Sequence, residues 1–221
     1  MDINSEIRDK LKEQGAEFIS FIDISELPDK QSLGYKKAII FGKSLSKKFI
    51  DDVNGGMKTG KGDEFEIKEH ETDALADRLA DYLKEKGYKA FSQSEDSCDE
   101  ALRYNEETKI NDLPTKTLAH MAGLGFIGKN ALLVNDMYGC ALSMCAVLTD
   151  APVETKTFDM ELSKCGNCNE CKDACHLNLI FGREWIENTN RDDLIDIKDC
   201  DQCARCITAC PYTLEYAKAV G

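Results

Sequence analysis

Eight of the chain's eleven cysteines fall into two copies of one spacing, and nothing else in the sequence constrains the chain as strongly. Cys165, Cys168, Cys171 and Cys175 form C-x2-C-x2-C-x3-C; Cys200, Cys203, Cys206 and Cys210 repeat it, with Pro211 directly after. Three thiolates two residues apart wrap a tight loop around one face of an iron–sulfur cube, each reaching a different iron. In two-cluster proteins with this run the fourth cysteine ligates the other cluster. One [4Fe–4S] cluster is therefore expected on Cys165, Cys168, Cys171 and Cys210, and a second on Cys200, Cys203, Cys206 and Cys175. Zinc is the competing reading, but structural zinc takes pairs of C-x2-C knuckles from separate turns, which a triple run supplies poorly. His176 stands where the first copy lacks the proline. Proline there is a backbone device and not a ligand, so His176 is expected to be an ordinary loop residue.

The rest of the composition places this module in a globular chain. With 221 residues there is room for one sizeable domain and a small one. The expected division is an α+β cofactor-binding domain over residues 1–155 and a bacterial ferredoxin-like double-cluster domain over 156–221. No apolar run approaches the roughly 18–20 residues that span a bilayer. Met1 to Ile7 lacks the basic start and apolar stretch of a secretory signal. A cytoplasmic protein without a membrane partner is expected, and its many cysteines then point to metal rather than disulfides. The formal net charge is −13. Nucleic acid is held largely by Lys and Arg at its phosphates, so this balance speaks against it as a partner. It suits a redox protein that meets basic partners by electrostatic steering.

Hydrophobic periodicity gives the elements. Ser5 to Gly15 reads as a helix, and Phe18–Ile24 and Lys37–Phe41 as strands. Asn54 to Gly62 reads as a Gly- and Lys-rich loop, and Glu66 to Lys86 as a long amphipathic helix closed by Gly87. Tyr88 to Phe91 starts another strand. Ser92 to Asn111 is polar and aperiodic, a loop with at most a short helix and a candidate lid. Leu113-Pro114 opens a helix through Met121. Ala131–Val134 and Cys140–Leu148 read as strands around a turn, and residues 156–163 as a connector. Strands separated by helices imply an α+β sandwich ahead of the cysteines.

Residues 113–150 resemble the epoxyqueuosine reductase family. The likeness lies in Leu113-Pro114-Thr115-Lys116-Thr117-Leu118-Ala119, in Ala122-Gly123-Leu124-Gly125-Phe126-Ile127-Gly128-Lys129-Asn130 with the strand after it, and in Tyr138-Gly139 and Leu148-Thr149-Asp150. The resemblance implies a nitroreductase-like, cobalamin-reductase-like fold that carries cobalamin, fed with electrons by the clusters, with flavin as the alternative cofactor. It implies that Gly123, Gly125, Phe126, Gly128, Lys129 and Asn130 line the corrinoid, with Cys140 facing it. Read without it, the three glycines equally suit a tight helix-to-strand turn. The family's catalytic aspartate has no match at its offset, which falls near Lys109. Asp112 is the nearest carboxylate, either as proton donor or as a cap before Pro114. The tRNA-modifying members continue well past the clusters, whereas this chain ends ten residues after Pro211. The implied function is an iron–sulfur oxidoreductase that reduces cobalamin for attack on a small substrate, drawing on an external low-potential donor. The alternative is a non-catalytic carrier that serves a partner enzyme.

Three features are expected to be incidental. Gly55 to Lys61 matches part of a phosphate-binding loop, but Gly62 replaces the Ser or Thr and no strand precedes it. Cys140 and Cys145 are expected to pack as small hydrophobes, and Cys98 to lie exposed in a polar loop. The acidic stretch Glu95 to Glu107 reads as a solvated face, with recruitment of a basic partner as its alternative.

Overall fold

The structure is a computed structural model that describes residues 2–187 and 189–221. The chain divides into two compact units that interleave in sequence. One comprises Met1–Lys43, Ile67–Ala122 and Ser143–Asp159; the other comprises Ser44–Glu66, Gly123–Leu142 and Met160–Gly221. The sequence suggests a single boundary after residue 155. Instead, two short internal segments cluster with the cysteine-rich end, because their apolar residues are buried there.

The first unit is built on a four-stranded sheet in the order Phe18–Asp23, Lys37–Ser44, Leu142–Thr149, Ala90–Ser92. The first two strands are antiparallel, with Phe18 opposite Gly42 and Asp23 opposite Lys37. The last two are also antiparallel, with Ala90 opposite Thr149. Helix Ile3–Glu13 starts where the Asp2 carboxylate accepts the Ser5 N–H, which satisfies an otherwise orphaned donor. The long helix Glu64–Glu85 buries Leu75, Ala76, Leu79, Ala80 and Leu83 at helical spacing. They meet Ile7 and Leu11 of the first helix and Phe21, Ile39, Phe41 and Val147 of the sheet in one core. Each leucine, isoleucine, valine and phenylalanine among them contributes about 1.5–3 kcal/mol on burial. The expected α+β class is what the structure has.

Residues 92–111 hold more order than an aperiodic loop. Ser94 caps a short helix, Glu95–Glu100, and Tyr104–Asn105 pairs with Ile110–Asn111. That helix turns Cys98 inward, so the cysteine expected to be exposed is only 2% exposed. Its thiol donates to the Gln93 side-chain oxygen at 3.5 Å, and burial raises its pKa.

The second unit has its own core. Phe49, Ile50 and Val53 of a helix the periodicity does not announce, Lys47–Asn54, pack with Phe126, Val134, Ala204, Ile207, Cys210 and Tyr216. Ser46 caps that helix by accepting the Phe49 N–H at 3.1 Å. The strand expected over Ala131–Val134 is reduced to Leu133–Val134, paired with Phe126–Ile127. Ala131 takes a left-handed φ of 59° that ends the strand early.

Candidate metal centre

All eleven cysteines are free thiols. In the first run a turn brings the Cys168 N–H to the Cys165 carbonyl at 2.9 Å. Cys171 then enters the short helix Glu170–Ala174, and Cys175 follows its end. The second run is coiled by left-handed residues at Gln202 and Ala204 and continues into helix Arg205–Thr208. Cys210 is the N-cap of helix Pro211–Ala219, with Pro211 in the first turn, where its missing N–H costs nothing. The first run has no such helix after it. His176 continues into a turn instead, with Nε2 3.1 Å from Asp201 and Nδ1 3.8 Å from the Cys203 sulfur. It thus joins one run to the other, a role that no spacing signals.

The sulfurs gather by crossed sets. Cys171 is pushed up to about 11 by burial and then by the charges of Cys165, Cys210 and Cys168. Cys206 is pushed up to about 12 by burial and by the charges of Cys171, Cys200, Cys203 and Cys175. Cys210 keeps company with the first run and Cys175 with the second. Two sets of four thiols, each made of a central cysteine and three around it, are donor sets suited to iron–sulfur clusters. Backbone donors already serve the fourth ligands. The Leu179 N–H donates to Cys175 at 3.4 Å, and the Tyr212 and Thr213 N–H groups help hold Cys210 down to about 7, after the thiol of Cys140. Such donors favour the thiolate that a cluster needs.

The glycine-rich turn lies against this centre within the same unit. Gly125 has φ 149°, and a Cβ there would lie 2.2 Å from the Val134 carbonyl oxygen, so the backbone itself requires glycine. A Cβ on Gly128 would meet Asn130 Oδ1 and Val134 Cγ2, each at 2.8 Å. Gly123 adopts φ 63°. The buried Phe126 ring stacks edge-on against Tyr212, with centroids 5.6 Å apart. Lys129 is buried and its ammonium donates to the carbonyls of Gly166 and Cys168, at 2.8 and 2.9 Å, and to Asn169 Oδ1 at 3.3 Å. The Asn130 amide donates to the Cys206 carbonyl at 3.2 Å and to the Cys140 sulfur at 3.4 Å. The Cys140 N–H donates to Thr213 Oγ1 at 2.9 Å. The residues expected to line a corrinoid are therefore brought together, with their polar atoms engaged by the cysteine loops. Even the segment that resembles a phosphate loop takes part, through a bond from Thr59 Oγ1 to the Gln202 carbonyl at 3.2 Å.

Asp112 lies in the other unit. Its carboxylate is 3.1 Å from the Lys30 ammonium, and it does not cap the following helix, whose N-cap is Pro114. A second carboxylate, which the sequence reading does not single out, has the more perturbed surroundings. Burial raises the pKa of Asp73 against the hydrogen bond it accepts from the Glu95 N–H. Its position between Thr72 and Leu75, on the buried side of the long helix, is the signal that could have found it. Two clefts of about 370 and 380 Å³ border that helix, lined by residues such as Tyr82 and Arg78, and no cysteine lines either.

Comparison with known proteins bears on the same elements. Residues 164–214 match the 4Fe-4S dicluster domain family, so the chain carries such a domain. The epoxyqueuosine reductase of Listeria monocytogenes is 28% identical over 125 residues, which covers 50% of this chain and 32% of that protein. The chain spans well under half the length of the curated relatives it matches. Among solved structures, epoxyqueuosine reductase from Streptococcus thermophilus has a similar fold. Its TM-score is 0.60 at 18% identity, covering 97% of this chain and 67% of that one. An epoxyqueuosine reductase with an epoxyqueuosine-modified tRNA stem loop gives 0.57 at 17% identity, covering 96% and 65%. A reductive dehalogenase described by B12-dependent dehalogenation gives 0.66 at 18% identity, covering 98% and 33%. No described helix is long and apolar enough to cross a membrane.

Proposed function

We propose that this epoxyqueuosine reductase-like chain is an iron–sulfur oxidoreductase that holds two [4Fe–4S] clusters and reduces a small substrate with cobalamin as its second cofactor. The observation that carries the reading is the crossed gathering of the eight cysteines, with Cys165, Cys168 and Cys210 around Cys171 and with Cys200, Cys203 and Cys175 around Cys206. The clusters, when bound, store single electrons; the chain's own residues hold and tune them. Cys165, Cys168, Cys171 and Cys210 ligate one and Cys200, Cys203, Cys206 and Cys175 the other. Lys129 and Asn130 hold their loops in place.

Cobalamin is supported by fold likeness to a protein described as B12-dependent. The polar atoms of Lys129, Asn130 and Cys140 are engaged by the cysteine loops and the last helix instead of facing a corrin. Asp112 is the proposed proton donor; its carboxylate leaves the ion pair with Lys30 and takes up a proton from water before giving one to the substrate. The engagement of Lys129, Asn130 and Cys140 favours a second reading, a carrier that hands electrons to a partner enzyme without turnover of its own.

One experiment separates the two. Anaerobically purified protein is assayed for iron and acid-labile sulfide, then titrated with cobalamin under visible spectroscopy, with and without a modified tRNA stem loop. Cobalamin binding at micromolar concentration, with reduction of the bound corrinoid by the clusters, supports the reductase. Clusters without any spectral change leave the carrier. Absence of iron and sulfide refutes both.

A further inference from the structure

Lys129 and Asn130 are adjacent in sequence, yet each grips a different cysteine run. Lys129 takes two carbonyls and an amide oxygen of residues 166–169; Asn130 takes the carbonyl of Cys206. Both are about 95% buried. The two differ in one physical respect. The amide of Asn130 is neutral, whereas the Lys129 ammonium carries a full charge out of water. A buried cation is costly unless something negative lies near it, and none of its three acceptors is a carboxylate. The Glu184 carboxylate accepts the Gly166 N–H at 2.7 Å, and a cluster wrapped by the loop that holds Gly166 and Cys168 would add a second negative group.

We propose that Lys129 is a positioning residue that sets the reduction potential of the cluster on Cys165, Cys168, Cys171 and Cys210, making it easier to reduce than its neighbour. This rests on the reading that both runs hold clusters. A four-thiolate cluster is anionic and gains one more negative charge when it accepts an electron. A fixed positive charge in a medium of low dielectric stabilises the reduced form preferentially. In the second run the neutral Asn130 amide takes the carbonyl of Cys206, and the cation beside that run, Arg205 near Cys203, is partly exposed to water, which screens it, so the pair is asymmetric. Each cluster takes up one electron from the external reductant, and no bond to Lys129 forms or breaks. Electrons therefore settle on the first cluster before the second.

The test is a dithionite titration of the anaerobic full chain followed by electron paramagnetic resonance. Cys168→Ser identifies which signal belongs to which cluster. Lys129→Gln is expected to shift the reduction equilibrium of the first cluster at least tenfold toward the oxidised form, about 59 mV for one electron. The second cluster should move less than threefold, and Lys129→Arg should leave both within threefold of the natural chain. Asn169→Asp provides an independent variant, since Asn169 is exposed and its oxygen lies 3.3 Å from the ammonium. A carboxylate there neutralises the charge with Lys129 in place, so a shift of at least threefold in the same direction is expected. If Lys129→Gln loads both clusters and neither equilibrium moves, the proposal fails. If that variant does not load, an unmoved first cluster in Asn169→Asp overturns it just as directly. A natural chain without iron and sulfide would instead refute the underlying cluster reading, which is a different result.

Discussion

Gly139→Ala probes the link between the glycine-bearing turn and the cluster ligands. Gly139 closes a turn in which its N–H donates to the Asn135 carbonyl at 2.8 Å and its carbonyl accepts the Asn135 N–H at 2.9 Å. Its φ is 61°, and a Cβ would lie 2.2 Å from the Thr213 nitrogen and 2.5 Å from both Thr213 Cα and Oγ1. Thr213 cannot yield alone. Its hydroxyl accepts the Cys140 N–H at 2.9 Å, and its own N–H bonds to Cys210. Relief of the clash moves the start of the last helix and with it a cluster ligand.

The left-handed conformation costs a non-glycine residue about 1–2 kcal/mol, and forcing a methyl into a packed site about 1–3 kcal/mol. The sum, about 2–5 kcal/mol, lowers the melting temperature by roughly 4–20 °C at about 2–4 °C per kcal/mol for a chain of this size. Gly34→Ala is the control, because Gly34 also has positive φ, 76°, but no atom within 4 Å of its Cβ position. It carries the conformational cost alone. Iron and sulfide content and anaerobic melting are measured on all three proteins. Gly139→Ala is expected to fall from about eight iron per chain to about four, with Gly34→Ala unchanged. Equal melting of the two variants with full iron in both would refute the argument from packing.

Three further outcomes are expected. Cys175→Ala removes the cluster on Cys200, Cys203 and Cys206 and spares the other, which cluster-resolved resonance spectra check; loss of the first-run signal instead would contradict the crossed assignment. Tyr216→Phe removes the hydroxyl that bonds Ser44 Oγ at 2.8 Å and the Leu45 carbonyl at 3.1 Å, so it costs about 1 kcal/mol in melting experiments and leaves iron content intact. Asp73→Asn is expected to stabilise the protein more at pH 7 than at pH 4. Burial raises the folded carboxyl above its usual 3.8, the folded state holds the proton longer, and stability falls as pH rises from the unfolded toward the folded pKa.

What the sequence discloses follows the range of the interactions involved. The cysteine runs are legible because each spacing is closed within a few residues. The helix ending near Gly15 and the long helix through Leu75, Leu79 and Leu83 were legible because helical burial repeats within a few residues. Helix Lys47–Asn54 was not, since Phe49, Ile50 and Val53 are apolar for partners around Ala204 and Ile207, far away in sequence. The expectation of an exposed Cys98 fails because the polar residues around it form a capped helix whose inner side is a single cysteine. Lys129 reads as a ligand-facing residue in the sequence because two of its three acceptors are backbone carbonyls, which carry no side-chain signature. His176 joined the two runs through Asp201, a pairing that no spacing rule contains.

The interleaving of the two units alters what the family resemblance can support. The stretch that resembles the epoxyqueuosine reductases and the two cysteine runs look like independent matches in the sequence. Residues 123–142, the core of that stretch, belong to the compact unit that holds the cysteines, and Lys129, Asn130 and Cys140 are all bonded within it. Their joint occurrence is then one requirement counted twice: a cluster module needs its bracket. The likeness therefore speaks most directly to how electrons are held. Asp112, the proposed proton donor, and Asp73, the buried carboxylate with the raised pKa, lie in the other unit, outside that bracket. Assays that vary the donor and read the clusters will report on the shared machinery. Only assays that vary the substrate, with Asp112 and Asp73 altered, will report on what distinguishes this chain.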